Sequence, residues 1–279
     1  MIKKNQEKSI IFNSRETKKY PEIDEENVRW YPTKVYDFTT ADYKNLVKHW
    51  ENSSTEAALY INIPFCPYFC NFCVFVKYPP KITVIKKYIN ALLKELSIVE
   101  KYVNNFTTIW IGGGTPTSLP PKYLEILLNN ISSLVDKKRE IVIEAEPTTV
   151  SPKILNTLSK FNVRTISSGV LSFRDETLKI LGRKYTSEYV AKIYSELKKL
   201  GFKINIDLMY RLPNQTETAI KNEIEKISEL EPDHISLFRL MVFDSTPLSK
   251  MIKKEKIVYP SISASTKFLS LIHISDPTR

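Results

Sequence analysis

The chain has 279 residues, is 42% hydrophobic and carries a formal net charge of +10. That length suits one large domain with a substantial core, and no apolar run approaches the roughly 18 residues of a membrane span. Its lysines are scattered rather than drawn into an aromatic-lined stripe, which speaks against a nucleic-acid reader and suits an anionic substrate equally well.

Residues 1–55 are polar and read as an N-terminal extension, with Trp30, Tyr31 and Trp50 as anchors and a helix over 41–50. The first residues, Met1-Ile2-Lys3-Lys4-Asn5, lack the apolar segment of a secretory leader. An apolar, β-branched run over 57–63 predicts a buried strand. Ile85, Ile89, Leu92, Leu93 and Leu96 form one stripe of a helix over 82–103. Strands follow over 107–111, 140–145, 162–168, 203–209 and 233–239. Helices lie between them over 120–134, from Ser151-Pro152 onward, over 175–181, 187–200 and 216–230. Strands alternating with helices predict parallel βαβ units. About six fit between 56 and 245, giving an α/β fold closed as a partial (β/α)6 TIM-like barrel, with 246–279 as a tail. No regular pattern marks 269–279.

All three cysteines, Cys66, Cys70 and Cys73, fall in one loop after the first strand. A disulfide framework fits an odd, tightly spaced count badly. A structural zinc needs a fourth ligand, and His49, His234 and His273 all lie outside the loop. A ferredoxin cluster takes four cysteines. Inert buried thiols would not explain the clustering. Three thiolates leave one iron of an iron–sulfur cluster open to a small molecule, and free thiols suit a reduced, cytoplasmic setting. The run Gly112-Gly113-Gly114 ends the second strand, where absent Cβ atoms let a backbone approach a ligand closely. Glu144 and Glu146, two apart, would share a face of the third strand, and Asp207 sits in the apolar fifth. In a barrel these features meet at the C-terminal rim of the strands.

The stretch from Tyr60 through Ile63-Pro64-Phe65-Cys66-Pro67-Tyr68-Phe69-Cys70-Asn71-Phe72-Cys73 resembles the cluster loop of radical S-adenosylmethionine (SAM) enzymes. More narrowly it resembles the oxygen-independent coproporphyrinogen III oxidase-like group. Matching stretches are Gly112-Gly113-Gly114-Thr115-Pro116-Thr117, Ile143-Glu144-Ala145-Glu146-Pro147, Ser168-Gly169-Val170-Leu171-Ser172-Phe173, Leu181-Gly182-Arg183 and Asn205 through Thr216. The resemblance spans about residues 28–250. It implies a [4Fe–4S] cluster on Cys66, Cys70 and Cys73, with SAM on the open iron cleaved to a 5′-deoxyadenosyl radical. It also implies SAM contacts at Gly113, Gly114, Thr115, Glu144, Arg183 and Asp207, and a second SAM at Tyr60 and Phe72. Phe65, Phe69 and Phe72 would keep the cluster dry.

The implied activity is hydrogen abstraction from a propionate of a tetrapyrrole, with a flavodoxin- or ferredoxin-type electron donor. Radical methyltransfer, heme utilisation, and a heme chaperone with His234 as a candidate axial ligand are the alternatives. Three positions depart from the group's pattern. Asn62 replaces its histidine, Leu171 its glutamine, and Arg211 its glycine. Leu171 removes a SAM contact, and Arg211 brings charge to the rim as a substrate-carboxylate ligand or a partial plug.

Overall fold

The computed structural model describes residues 39–52, 57–103, 106–255 and 257–274. Most of the predicted extension, with Trp30 and Tyr31, lies outside the described residues, as do residues 53–56 around its boundary with the barrel. The helix predicted over 41–50 is α1, Thr40–Asn52, whose Trp50 ring stands 5.9 Å from that of Tyr102.

Six strands form one parallel sheet in sequence order: β1 (Ala57–Ile63), β2 (Phe106–Gly113), β3 (Val135–Ala145), β4 (Val163–Leu171), β5 (Lys203–Tyr210) and β6 (His234–Arg239). Each neighbour pair is parallel. The crossovers carry α2 (Ile82–Val99), α3 (Pro121–Ile131), α4 (Pro152–Lys160), the pair α5 (Asp175–Leu181) and α6 (Ser187–Lys199), and α7 (Glu217–Leu230). β1 and β6 remain edges, so the architecture is the predicted half-barrel of the α/β class.

Side-chain alternation explains why the sheet curls with one face on the helices. Ile61, Ile63, Ile109, Ile111, Ile141, Ile143, Ile166, Ile204 and Ile206 are buried against Ile85, Ile89, Leu124, Leu128 and Leu158 of the helices. Each such residue, fully buried, contributes about 1.5–3 kcal/mol of transfer free energy. The alternate residues, among them Tyr60, Trp110, Glu144, Ser167, Asn205 and Asp207, fall on the opposite face by the two-residue period of a strand.

Three segments differ from expectation. β3 begins at Val135 rather than 140, because Phe106 pairs with Val135 ahead of the charged run Asp136-Lys137-Lys138-Arg139. The region after β6 is helical: α8 (Pro247–Glu255) and α9 (Ile262–Ile274), the second running into the stretch predicted to be patternless. Both have side-chain caps, Thr246 Oγ1 accepting from Ser249 N–H at 3.3 Å and Ser261 Oγ from Ala264 N–H at 3.2 Å.

Arg211 corrects a further expectation. It is only 6% exposed, in a left-handed conformation with φ 61°, which explains the suitability of glycine at this position. Its Nε donates to the Pro260 carbonyl at 2.9 Å and its guanidinium lies 4.4 Å from the Tyr259 ring centroid. It therefore fastens the segment before α9 instead of presenting charge at the rim. Arg211→Gly relieves about 1–2 kcal/mol of backbone strain but loses a charged hydrogen bond of about 1.5–3 kcal/mol and a cation–π contact of about 0.5–2 kcal/mol. The expected result is net loosening, read as faster amide exchange in α9 with β1–β3 unchanged.

Candidate functional site

The loop after β1 is stitched to its surroundings by main-chain bonds. Cys66 N–H donates to Tyr78 O at 3.0 Å and Tyr78 N–H to Pro64 O at 2.8 Å. At the end of β2, Gly114 N–H donates to Ile63 O and Thr115 N–H to Phe65 O, both at 2.8 Å. The first two strand ends are thus joined where the thiols begin. Thr115 Oγ1 lies 3.6 Å from Cys66 Sγ, and Lys77 Nζ donates to the carbonyls of Cys73 at 2.9 Å and Phe75 at 3.2 Å.

Cys66, Cys70 and Cys73 line one cavity together with Phe72, Gly113, Gly114, Thr115 and Arg183. The structure thus gathers eight of the eleven predicted site residues around that space. Burial pushes the thiols of Cys66 and Cys70 above the ordinary cysteine range; Thr115 pulls back on Cys66 and the Arg183 charge on Cys70. Phe65 is buried beneath the loop, whereas Phe69 is 51% exposed and does not contribute to a dry shell. Among the described residues, no three His, Cys, Asp or Glu side chains are grouped for a single metal ion. The thiols surround a space instead of converging on a point.

Tyr60, Glu144 and Asp207 stand outside the cavity lining. Glu144 accepts from Trp110 Nε1–H at 2.7 Å and Gly113 N–H at 3.0 Å. Burial raises its carboxyl above the ordinary range, and those two donors oppose the rise. Tyr60 is largely exposed, near enough to Glu144 for that carboxylate to raise its phenol after burial does. Asp207 accepts from Asn205 Nδ2–H at 2.8 Å and from Ser167 Oγ–H at 3.2 Å. Its carboxyl is raised by burial and lowered in part by hydrogen bonds from Ser236, Ser167 and Asn205. His234 opens β6 in register with Asn205 of β5, and its Nδ1 is engaged by Asn205 Oδ1 at 2.6 Å. It does not line the cysteine cavity.

Glu146 does not pair with Glu144. β3 ends at Ala145, and Glu146 caps the following 3-10 turn, accepting from Thr148 N–H at 2.9 Å. It lines the cavity and accepts from the hydroxyls of Tyr68 and Thr148. Beside it, Arg183 lies 6.0 Å from the Phe72 centroid and 5.8 Å from that of Tyr185. Its Nε is buried without a hydrogen-bond partner. A buried guanidinium donor left unsatisfied is rare and calls for an acceptor. The donor set fits a [4Fe–4S] cluster with an open iron: three soft thiolates, a backbone held close by glycines, and an arginine with a donor to spare for a carboxylate.

Glu146 was expected at this rim as the partner of Glu144 rather than as a turn cap, whereas Tyr68, Lys77 and Trp110 were not predicted to line or shape the site. Trp110 had a signal, since it precedes Gly112 by two on the same strand face. Beyond the rim, Glu223 of α7 is buried and accepts from Ser172 Oγ–H, Phe173 N–H (3.1 Å) and Gln215 Nε2–H (3.2 Å). It ties the loop after β4 to the loop after β5. Burial raises its carboxyl, against the pull of these donors. The folded chain then keeps this proton after the unfolded chain has released it, so the group's stabilisation is lost as pH rises through its folded value. The stability difference between the native chain and Glu223→Gln is expected to move in the variant's favour from about pH 4 upward, read by denaturant unfolding.

The radical SAM superfamily pattern matches residues 60–227, more than half of the chain, and the protein belongs to that superfamily, whose cofactors are a [4Fe–4S] cluster and SAM. Within it, the chain is similar to proteins named as heme chaperones and as oxygen-independent coproporphyrinogen III oxidase-like proteins. It is 36% identical over 205 residues to the heme chaperone HemW of Lactococcus lactis subsp. lactis (strain IL1403), covering 72% of this chain and 54% of the relative. It is 29% identical over 213 residues to the oxygen-independent coproporphyrinogen-III oxidase-like protein HemZ of Bacillus subtilis (strain 168), covering 72% and 42%. The fold matches coproporphyrinogen III oxidase (HemN) from Escherichia coli with a TM-score of 0.74 at 24% identity, covering 86% of this chain and 57% of that one. The chain spans about half the length of the curated relatives it matches. No helix among the described residues is long and apolar enough to cross a membrane.

Proposed function

We propose that this chain is the SAM-cleaving core of a protein acting on a tetrapyrrole, in the manner of the oxygen-independent coproporphyrinogen III oxidases. The observation that carries the reading is one cavity shared by three thiols and an arginine whose buried Nε lacks an acceptor. Cys66, Cys70 and Cys73 hold the cluster. Arg183 takes the carboxylate of SAM, Gly113, Gly114 and Thr115 offer backbone at close range, and Glu144 and Asp207 bind its polar groups from the adjoining strands. Tyr60 and Phe72 are candidates for a second SAM. When bound, the cluster supplies one electron for cleavage of SAM, which yields the hydrogen-abstracting equivalent. Phe65 and Phe72 exclude water on the protein side of the loop. The net positive charge suits both an anionic substrate and an acidic flavodoxin- or ferredoxin-type donor, and free thiols suit a cytoplasmic setting.

A second reading, a heme chaperone without oxidase activity, is favoured by the likeness to HemW. The two are separated by anoxic incubation of the loaded protein with SAM, reductant and coproporphyrinogen III. Loss of carbon dioxide in the product mass, with 5′-deoxyadenosine formed, supports the oxidase. Tight heme binding in an absorbance titration, with no mass change, supports the chaperone. Neither result would overturn the tetrapyrrole assignment.

A further inference from the structure

Asn71 stands between Cys70 and Cys73 and reaches two helices at once. Its main-chain N–H donates to Leu181 O at 3.0 Å. Its side-chain Nδ2 donates to Ile180 O at 2.8 Å and lies 3.7 Å from Met251 Sδ. Its own carbonyl accepts from Leu248 N–H at 2.9 Å. Ile180 and Leu181 end α5, where helix carbonyls lack partners within the helix, and Leu248 opens α8, where N–H groups lack them. One loop residue therefore closes the end of one helix and the start of another. Beneath it, Leu171, Leu181 and Leu248 form an apolar cluster against which Phe72 packs. The polar bonds fix the direction of the loop, while the apolar contacts fix only its depth.

Resting on the cluster reading above, we propose that Asn71 is a positioning residue that sets the separation of Cys70 and Cys73, so that α5 and α8 hold the cluster through it. The side chain must donate. Aspartate would set a carboxylate against the Ile180 carbonyl, and alanine would leave that carbonyl without its donor. Gly182 reports on the same contact independently. It has φ 80°, and a Cβ there would meet Asn71 Cγ and N at 3.2 Å, displacing the end of α5 from the loop without touching a cysteine or α8.

The test loads the whole chain with iron and sulfide without oxygen, adds a ferrous chelator, and follows loss of cluster absorbance. Far-UV circular dichroism and unfolding of the iron-free chain are recorded beside it. Asn71→Asp and Asn71→Ala are expected to lose iron about 10- to 100-fold faster than the native chain, as removal of an outer hydrogen bond does at other metal sites. The iron-free unfolding midpoint should change little. Gly182→Ala should accelerate loss in the same direction. Chelation rates equal to native in the Asn71 variants overturn the proposal, as does acceleration matched by a general fall in iron-free stability. If the Asn71 variants do not fold, a native rate in Gly182→Ala overturns it. A native chain that takes up no cluster defeats the cluster reading itself, whereas normal native loading with unaltered variants defeats only the role of Asn71.

Discussion

Alanine at Cys66, Cys70 or Cys73 is expected to abolish cluster assembly and every activity that depends on it. The chain holds no other cysteine, so no thiolate is in reserve. Among the described residues no cluster of histidines and carboxylates offers a substitute. The main-chain bonds of Cys66 to Tyr78 and of Cys73 N–H to Cys70 O, at 3.3 Å, do not need the sulfurs. The loop should therefore keep its path while losing a ligand. Iron and acid-labile sulfide should fall from about four per chain to near zero, with far-UV circular dichroism unchanged. An alanine variant that kept native iron content would remove that cysteine from the ligand set.

Gly114→Val should be nearly as severe, by a different route. A Cβ at Gly114 would stand 2.8 Å from Phe65 O, 3.0 Å from Cys66 Sγ and 3.1 Å from Ile63 O. Two of those neighbours are main chain and cannot swing aside. The Gly114 and Thr115 N–H groups that join β1 to β2 are held at the same place. Overpacking costs about 1–3 kcal/mol, and the two main-chain bonds contribute about 1 kcal/mol each. A domain with about 5–15 kcal/mol of stability survives such a loss. The valine chain should fold, with a lowered unfolding midpoint, while Cys66 is driven from its place and iron uptake fails. Native iron uptake by this variant would show that the backbone at Gly114 does not approach the cluster site closely.

The sheet was readable because its strands are short apolar runs rich in β-branched residues, such as those holding Ile61 and Ile206, set between helical segments, as strands of a buried parallel sheet are. Where the pattern is charged, as at the start of β3, only the pairing of Val135 with Phe106 reveals the strand. The helices α8 and α9 escaped notice because each opens on a single hydroxyl cap, Thr246 or Ser261, with no acidic residue in its first turn, and the apolar stripe of α8 is short, Leu248 and Ile252 meeting one small cluster.

At the site, residue type and spacing gave the thiols and the glycine turn, which local chemistry dictates, whereas Arg183 came only from the family resemblance, because a lone arginine at a helix end reads as a solvated cation. The spacing of Glu144 and Glu146 misled, because alternation holds only while the strand continues, and β3 stops at Ala145. Arg211 misled for a similar reason. Its charge suggested the rim, but a left-handed backbone turns the side chain toward Pro260 and Tyr259. Leu171 likewise has φ 71° and packs with Leu181, Leu212, Leu240 and Leu248, a place that needs an apolar side chain and no hydrogen bond. Asn71 and Lys77 were not readable, because they bond to backbone carbonyls, and a carbonyl has no signature in sequence.

The central claim is that three cysteines hold a four-iron cluster with one iron open to SAM. Its most direct test is Mössbauer spectroscopy of the chain loaded with 57Fe under anoxic conditions, before and after SAM is added. A cubane spectrum in which one iron site alone shifts on addition of SAM is the predicted result. No cubane, or a cubane whose spectrum SAM leaves unchanged, would contradict it.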